Sequence, residues 1–171
     1  MVVLIAGPSH TGKTCLAQKL LETYRYPYFS IDWLKMGLIR SGYTRLTPED
    51  DRELEAYLWP VVREIVKTAI ENKQNLIFEG CYIPFDWKKD FEPSYLKEIR
   101  FCCLVMTEKY IRTHFEDILR YADLAEDRHG EFGYTMEGLI EEHAHALEQC
   151  KRFDCPYLLI DDVYQVDFTL E

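Results

Sequence analysis

Six cysteines stand at positions 15, 81, 102, 103, 150 and 155, and none forms a C-x-x-C pair. Cys102 and Cys103 are adjacent in an apolar run, where two thiols cannot easily meet, so the expectation is reduced, mostly buried thiols rather than a disulfide framework. Glycine and proline are scarce, 8 and 7 in 171 residues, against 47% hydrophobic residues, which excludes collagen-like, low-complexity and disordered classes. Basic residues are outnumbered, 20 against 30 acidic, for a net charge of −10, and most of such a surface repels a phosphate backbone. Nucleic acid is therefore not an expected partner. Long hydrophobic runs are also missing. The earliest, Val2 to Ala6, has no basic flank and leads directly into a glycine-rich loop, so neither a secretory signal nor a membrane span is expected, and the cytoplasm is the expected location. The length suits one domain covering 1–171.

What is present is an alternation of short apolar runs with longer amphipathic stretches, the pattern of βαβ units and an α/β fold. The strands predicted are Val2 to Ala6, Tyr28 to Ile31, Asn75 to Phe78, Arg100 to Met106 and Tyr157 to Ile160. Leu16, Leu20 and Tyr24 share one face of a helix over Lys13 to Tyr24. A second stripe runs from Leu54 to Ala69, and Pro60 inside it predicts a kink or two helices meeting at Trp59. Met136 to Cys150 carries a third stripe, on which His143 reads as a packed core residue; His145, two positions on, points elsewhere and makes no metal pair with it. The stretch Tyr121 to Tyr134, with four acids and two glycines, lacks periodicity and predicts a surface loop.

Gly7-Pro8-Ser9-His10-Thr11-Gly12-Lys13-Thr14 matches G-x-x-x-x-G-K-[ST] between a predicted strand and a predicted helix, which is where its mechanism needs it. Glycines let the backbone curl round an anion, loop N–H groups and the helix N-terminus face the phosphates, and Lys13 adds a fixed positive charge. Gly7, Ser9, His10, Thr11, Gly12, Lys13, Thr14 and Cys15 are the predicted ATP contacts, with His10 and Cys15 serving through the backbone. The Thr14 hydroxyl suits Mg²⁺.

With "FSIDW" and "LIFEG", this loop resembles the P-loop NTPases, and among them the small-molecule and nucleotide kinases related to adenylate kinase, shikimate kinase, zeta toxin and chloramphenicol phosphotransferase. The resemblance implies a three-layer α/β sandwich whose five-stranded parallel sheet is ordered 2-3-1-4-5, with ATP on the loop, an acceptor over the second and third strands and a lid after the fourth, at 120–134. Glu79 then ends a Walker B-like strand beside the first, close to Thr14 and Mg²⁺, and counts also among the acceptor-side residues. Asp32 takes the place of the family's acceptor-orienting base; the competing reading is a helix N-cap for Trp33 to Ile39. Arg40 falls where related kinases carry an acceptor-binding arginine. Arg120 and Arg128, with Arg112 as a further candidate, stand for the lid arginines that neutralise developing charge, although their spacing of eight departs from the family's four. Tyr82, Phe85 and Trp87 either line the acceptor pocket or close the core edge.

These readings together predict a kinase that moves the γ-phosphoryl group of ATP to a hydroxyl, or a phosphate, of a small metabolite or nucleotide, with ATP and Mg²⁺ as cofactors. The alternative is a P-loop ATPase or nucleotide-dependent switch without a small acceptor. Asn72-Lys73-Gln74-Asn75 lacks the final Asp of a guanine-reading box, which favours adenine. Neither the acceptor nor the oligomeric state is legible.

Overall fold

Val2–Ala6 is apolar at every position, a pattern that suits a strand covered on both faces. In the computed structural model, which describes residues 1–125 and 135–170, this segment is β1, the centre of an all-parallel sheet, and Val2 to Ile5 are fully buried. The other strands are β2 (Tyr28–Ser30), β3 (Leu76–Glu79), β4 (Ile99–Met106) and β5 (Tyr157–Ile160), in the order β2-β3-β1-β4-β5. This is the predicted order. Strand ends differ from the sequence reading by a residue: Ile31 opens the next helix, and Glu79 lies inside β3 rather than beyond it.

Parallel neighbours require crossovers, supplied by α1 (Lys13–Tyr24), α2 (Ile31–Arg40), α3 (Asp51–Glu71), the single turn α4 (Pro93–Leu96), α5 (Glu108–Ala125) and α6 (Met136–Arg152). Alternation along the strands sorts the core. Val3, Ile5, Ile77, Cys102 and Leu104 pack on Leu16, Ala17 and Leu20 of α1. Leu4, Phe78 and Val105 face Ile31 of α2, Leu54, Leu58 and Val62 of α3, and Ala146 of α6. Helices thus cover both sides of the sheet, giving three layers. The parallel strands all end at one edge, where open α/β sheets bind ligands.

Two expectations need correction. Pro60 does not split the Leu54–Ala69 stripe, because α3 is one helix from Asp51 to Glu71. Pro60 and Ala56, whose carbonyl loses its partner, are both exposed, so water can take that carbonyl while Leu58, Trp59 and Val62 hold the buried face. The predicted loop from Tyr121 also begins too early: α5 continues to Ala125, and it departs from helical geometry at His114, whose ring packs 4.5 Å from that of Tyr110. His143 is a core residue, as its place on the apolar stripe predicts.

Candidate active site

The chain leaves β1 at Gly7, whose φ of 141° lies where side chains are disfavoured and where a Cβ would sit 2.5 Å from the Leu104 carbonyl of β4. The loop then passes His10, left-handed at φ 63°, and Gly12, left-handed at φ 79°, before α1 begins at Lys13. No side chain caps α1, so its first N–H groups face the loop interior unclaimed by a cap. Thr11 Oγ1 and Lys13 Nζ donate to the Pro8 carbonyl, at 3.0 and 2.7 Å. The result is a preformed anion nest with an ammonium at its mouth.

Lys13 is 6% exposed. Burial alone would push its proton off, but the charges of Cys81, Glu79 and Asp32 outweigh it and hold the ammonium above its ordinary range. Glu79 and Cys81 lie at and just beyond the end of β3, and Asp32 at the start of α2. Glu79, 1% exposed, is in register with Ile5 of β1 and Ser30 of β2, so the central strand pairing carries this carboxylate to the loop. Glu79 is therefore not a solvated surface acid. Cys81 follows two residues on, with its sulfur 3.8 Å from Ser9 Oγ. Asp32 sits in the first turn of α2; the N-cap is Ser30, so the capping alternative for Asp32 does not hold. Its carboxylate pairs with Lys35 Nζ at 2.7 Å.

Three solved structures share this fold. A shikimate kinase from Bacteroides thetaiotaomicron superposes with a TM-score of 0.55 at 14% identity, over 94% of this chain and 85% of its own. A deoxyadenosine kinase from M. mycoides gives 0.55 at 15% identity, over 98% and 92%. A sugar kinase from Janibacter sp. gives 0.51 at 18% identity, over 94% and 84%. The protein has the P-loop NTPase fold. No family model and no curated protein matches the chain at the level of sequence, so among these comparisons the likeness is one of structure.

Within this P-loop fold the predicted site residues separate into two groups. Gly7, Ser9, His10, Thr11, Gly12, Lys13, Thr14 and Cys15 form the P-loop and the start of α1, and Asp32 and Glu79 act electrostatically on Lys13. The arginines stand apart. Arg40 is exposed in the last turn of α2, about 12 Å along the helix axis from Asp32, with no hydrogen-bond or ion-pair partner among the described residues. Arg112 is held by Glu108 at 2.8 Å. Arg120 is exposed, pairs with Asp117 at 2.8 Å and stacks on Tyr121. Arg128 lies outside the described residues. Of the aromatics after Gly80, Trp87 belongs to the core, stacked on Phe101, and Phe85 packs against it, whereas Tyr82 sends its hydroxyl to Asp51 and Lys35.

Sequence reasoning missed several participants. Tyr164, beyond β5, donates its hydroxyl to the Thr11 carbonyl at 3.0 Å and lies against Gly12. His143 accepts the Met106 N–H on Nδ1 at 2.8 Å, which puts its proton on Nε2. Burial, with the charges of Lys13 and His10, pushes its pKa down to about 3, so it stays neutral beside the P-loop. Lys35 and Asp51 carried no motif. The i,i+3 spacing of Asp32 and Lys35 on a predicted helix was the available signal.

The site suits a magnesium-bound nucleoside triphosphate. An uncapped helix start and a buried ammonium match the phosphates; Thr14, half-buried in the first turn of α1, and the buried Glu79 carboxylate are hard oxygen donors for Mg²⁺. Among the described residues no three His, Cys, Asp or Glu side chains form a metal cage. Among the same residues no helix is long and apolar enough to cross a membrane.

Proposed function

We propose that this protein is an ATP-dependent kinase that transfers the γ-phosphoryl group to a hydroxyl of a small molecule. The observation that carries the reading is the convergence of Lys13, Glu79 and Asp32 at the carboxyl ends of β1, β3 and β2. P-loop hydrolases need the first two. A carboxylate at the end of β2, beside the cradle but in another element, suits a group that handles a second substrate.

In this reading the N–H groups of the P-loop and of α1 hold the β and γ phosphates, and Lys13 stabilises the charge that grows on the oxygens of the transferred group. Thr14 and Glu79 would hold Mg²⁺, which supplies further neutralisation of that charge. Asp32 orients the acceptor hydroxyl and takes its proton as the new O–P bond forms. Its pairing with Lys35 keeps one carboxylate oxygen directed along α2 and leaves the other without a protein donor among the described residues. Arg120 would have to leave Asp117 to reach a phosphate, and Arg128 is the other arginine proposed for that duty. The three structural neighbours, a shikimate kinase, a deoxyadenosine kinase and a sugar kinase, agree with phosphoryl transfer.

The test is ATP turnover with and without a metabolite panel, for wild type and Asp32→Asn. Acceptor-dependent turnover should fall about 10²- to 10⁴-fold in the variant while ATP binding by calorimetry stays unchanged. Turnover that ignores both acceptor and substitution would instead identify an ATPase or nucleotide switch.

A further inference from the structure

Asp32 belongs to a chain of polar groups that continues away from the P-loop. Lys35 Nζ lies 2.7 Å from Asp32 Oδ1 and donates to the Tyr82 hydroxyl at 3.1 Å, with the ammonium 5.1 Å from the centre of the Tyr82 ring. Tyr82 in turn donates to Asp51 Oδ1 at 2.8 Å. Burial, then the bond to Asp51, raises the Tyr82 phenol far above its ordinary range, so this hydroxyl keeps its proton and can only accept from Lys35. The side chains of Asp32 and Lys35 are 19% and 13% exposed, enough to touch a ligand and too little to rotate freely.

An ammonium has three N–H bonds. Two are used, and among the described residues Lys35 makes no third hydrogen bond. The free Asp32 oxygen and the free Lys35 N–H are therefore offered side by side from one helical turn, an acceptor next to a donor. A single hydroxyl satisfies one of them. Two oxygens on neighbouring carbons satisfy both, the reacting hydroxyl giving its proton to Asp32 while its neighbour receives the Lys35 N–H.

Charge narrows the class further. The positive charge of Lys35 is matched by Asp32, and Asp51 and Glu142, close enough to affect each other, add negative charge on this side. Lys13 donates to the Pro8 carbonyl within the P-loop, and Arg40 sits at the exposed end of α2. A carboxylate or phosphate on the acceptor would meet repulsion here.

Building on the kinase reading, the geometry points to a neutral polyhydroxyl acceptor, one hydroxyl of which is phosphorylated while an adjacent oxygen is held by Lys35. Lys35 is then a specificity residue, positioned by Tyr82. In the transfer the hydroxyl oxygen forms a bond to the γ-phosphorus, the bridging bond to ADP breaks, and the hydroxyl proton passes to Asp32.

Full-length protein with Mg-ATP is offered glycerol, erythritol and glucose, and separately glycerate and glycerol 3-phosphate. Each polyol that accepts phosphate is compared with the analogue lacking the neighbouring hydroxyl, for wild type, Lys35→Met and Tyr82→Phe. Wild type should favour the intact polyol by about 10- to 100-fold in kcat/KM, the worth of one hydrogen bond to a charged group. Lys35→Met should reduce that preference to near unity, mainly through KM, and Tyr82→Phe should weaken it. A merely structural lysine would lower both substrates equally and leave the ratio intact, which overturns the assignment. Transfer confined to glycerate or glycerol 3-phosphate keeps the kinase reading and rejects this acceptor class. No transfer to any probe, with ATP still bound, rejects this acceptor class, and the kinase reading then falls only if turnover also ignores the metabolite panel and Asp32→Asn. Should Lys35→Met fail to fold, the same ratio in Tyr82→Phe and the charge preference of wild type decide the matter.

Discussion

At the residue scale the P-loop depends on contacts its motif does not mention. Gly12 is commonly read as the residue that turns the chain into the helix, and its φ of 79° agrees with that role. Here it must also lack a side chain for a second reason, since a Cβ would lie 1.9 Å from the Tyr164 hydroxyl. Gly12→Ala should cost about 1–3 kcal/mol from the left-handed backbone, with a further loss from displacing Tyr164. Urea denaturation of Gly12→Ala, and of the double variant with Tyr164→Ala, separates the two causes. The double variant should recover the part due to the clash and retain the part due to the backbone. Equal stability of the single variant and wild type would show that Tyr164 does not lie against the loop. Tyr164 has no such signature in the sequence, because its partner is a backbone carbonyl 153 positions earlier.

At the element scale α3 shows how burial overrides propensity. Proline inside a helix costs about 3 kcal/mol relative to alanine, yet α3 passes through Pro60 unbroken because Leu54, Leu58, Trp59, Val62 and Val66 are buried against the sheet and its neighbours. Trp59 is fixed further by its indole N–H on Asp90, at 2.7 Å, and by its edge contact with Phe91. Pro60→Ala should therefore raise stability by about 1–3 kcal/mol without moving the helix, an outcome read from the denaturation midpoint together with an unchanged circular dichroism spectrum. A loss of stability would mean that Pro60 sets a bend on which the packing relies. Beside it, α2 carries the paired Asp32 and Lys35 near its start and Arg40 in its last turn, apart from them, so the proposed acceptor contacts fall to the first two.

At the scale of the whole molecule His143 links the last helix to the fourth strand. Its imidazole is neutral in the folded protein, with a pKa of about 3 against 6.5 when unfolded. Below pH 6.5 the unfolded chain binds a proton that the folded one refuses, so this group's contribution is complete above pH 6.5 and declines as pH falls toward 3. The slope is about 1.4 kcal/mol per pH unit in that window. His143→Leu removes the titration but leaves the Met106 N–H unpaired, a cost of about 1–3 kcal/mol at pH 8. The variant should thus be less stable than wild type at pH 8, and the gap should close on acidification to pH 5. A gap that widens instead would contradict a buried neutral imidazole.

The architecture, and the loop proposed to hold the nucleotide, are legible along the chain. Alternating apolar runs and amphipathic stretches carry the strand and helix assignments because period and burial are local properties, and the loop from Gly7 to Thr14 is legible because its chemistry uses backbone groups placed by fixed residue types. Asp32 and Glu79 were legible through short strand-end segments that resemble known kinases. The proposed acceptor half depends on tertiary contacts. Lys35, Tyr82 and Asp51 meet only because β2 and β3 are neighbours and α3 starts above their ends, so contacts spanning 47 and 31 positions leave no pattern along the chain. The same physics separates Arg40 from the group it was expected to join: a helix advances about 1.5 Å per residue, and eight residues carry a side chain away from the sheet edge where the chemistry lies.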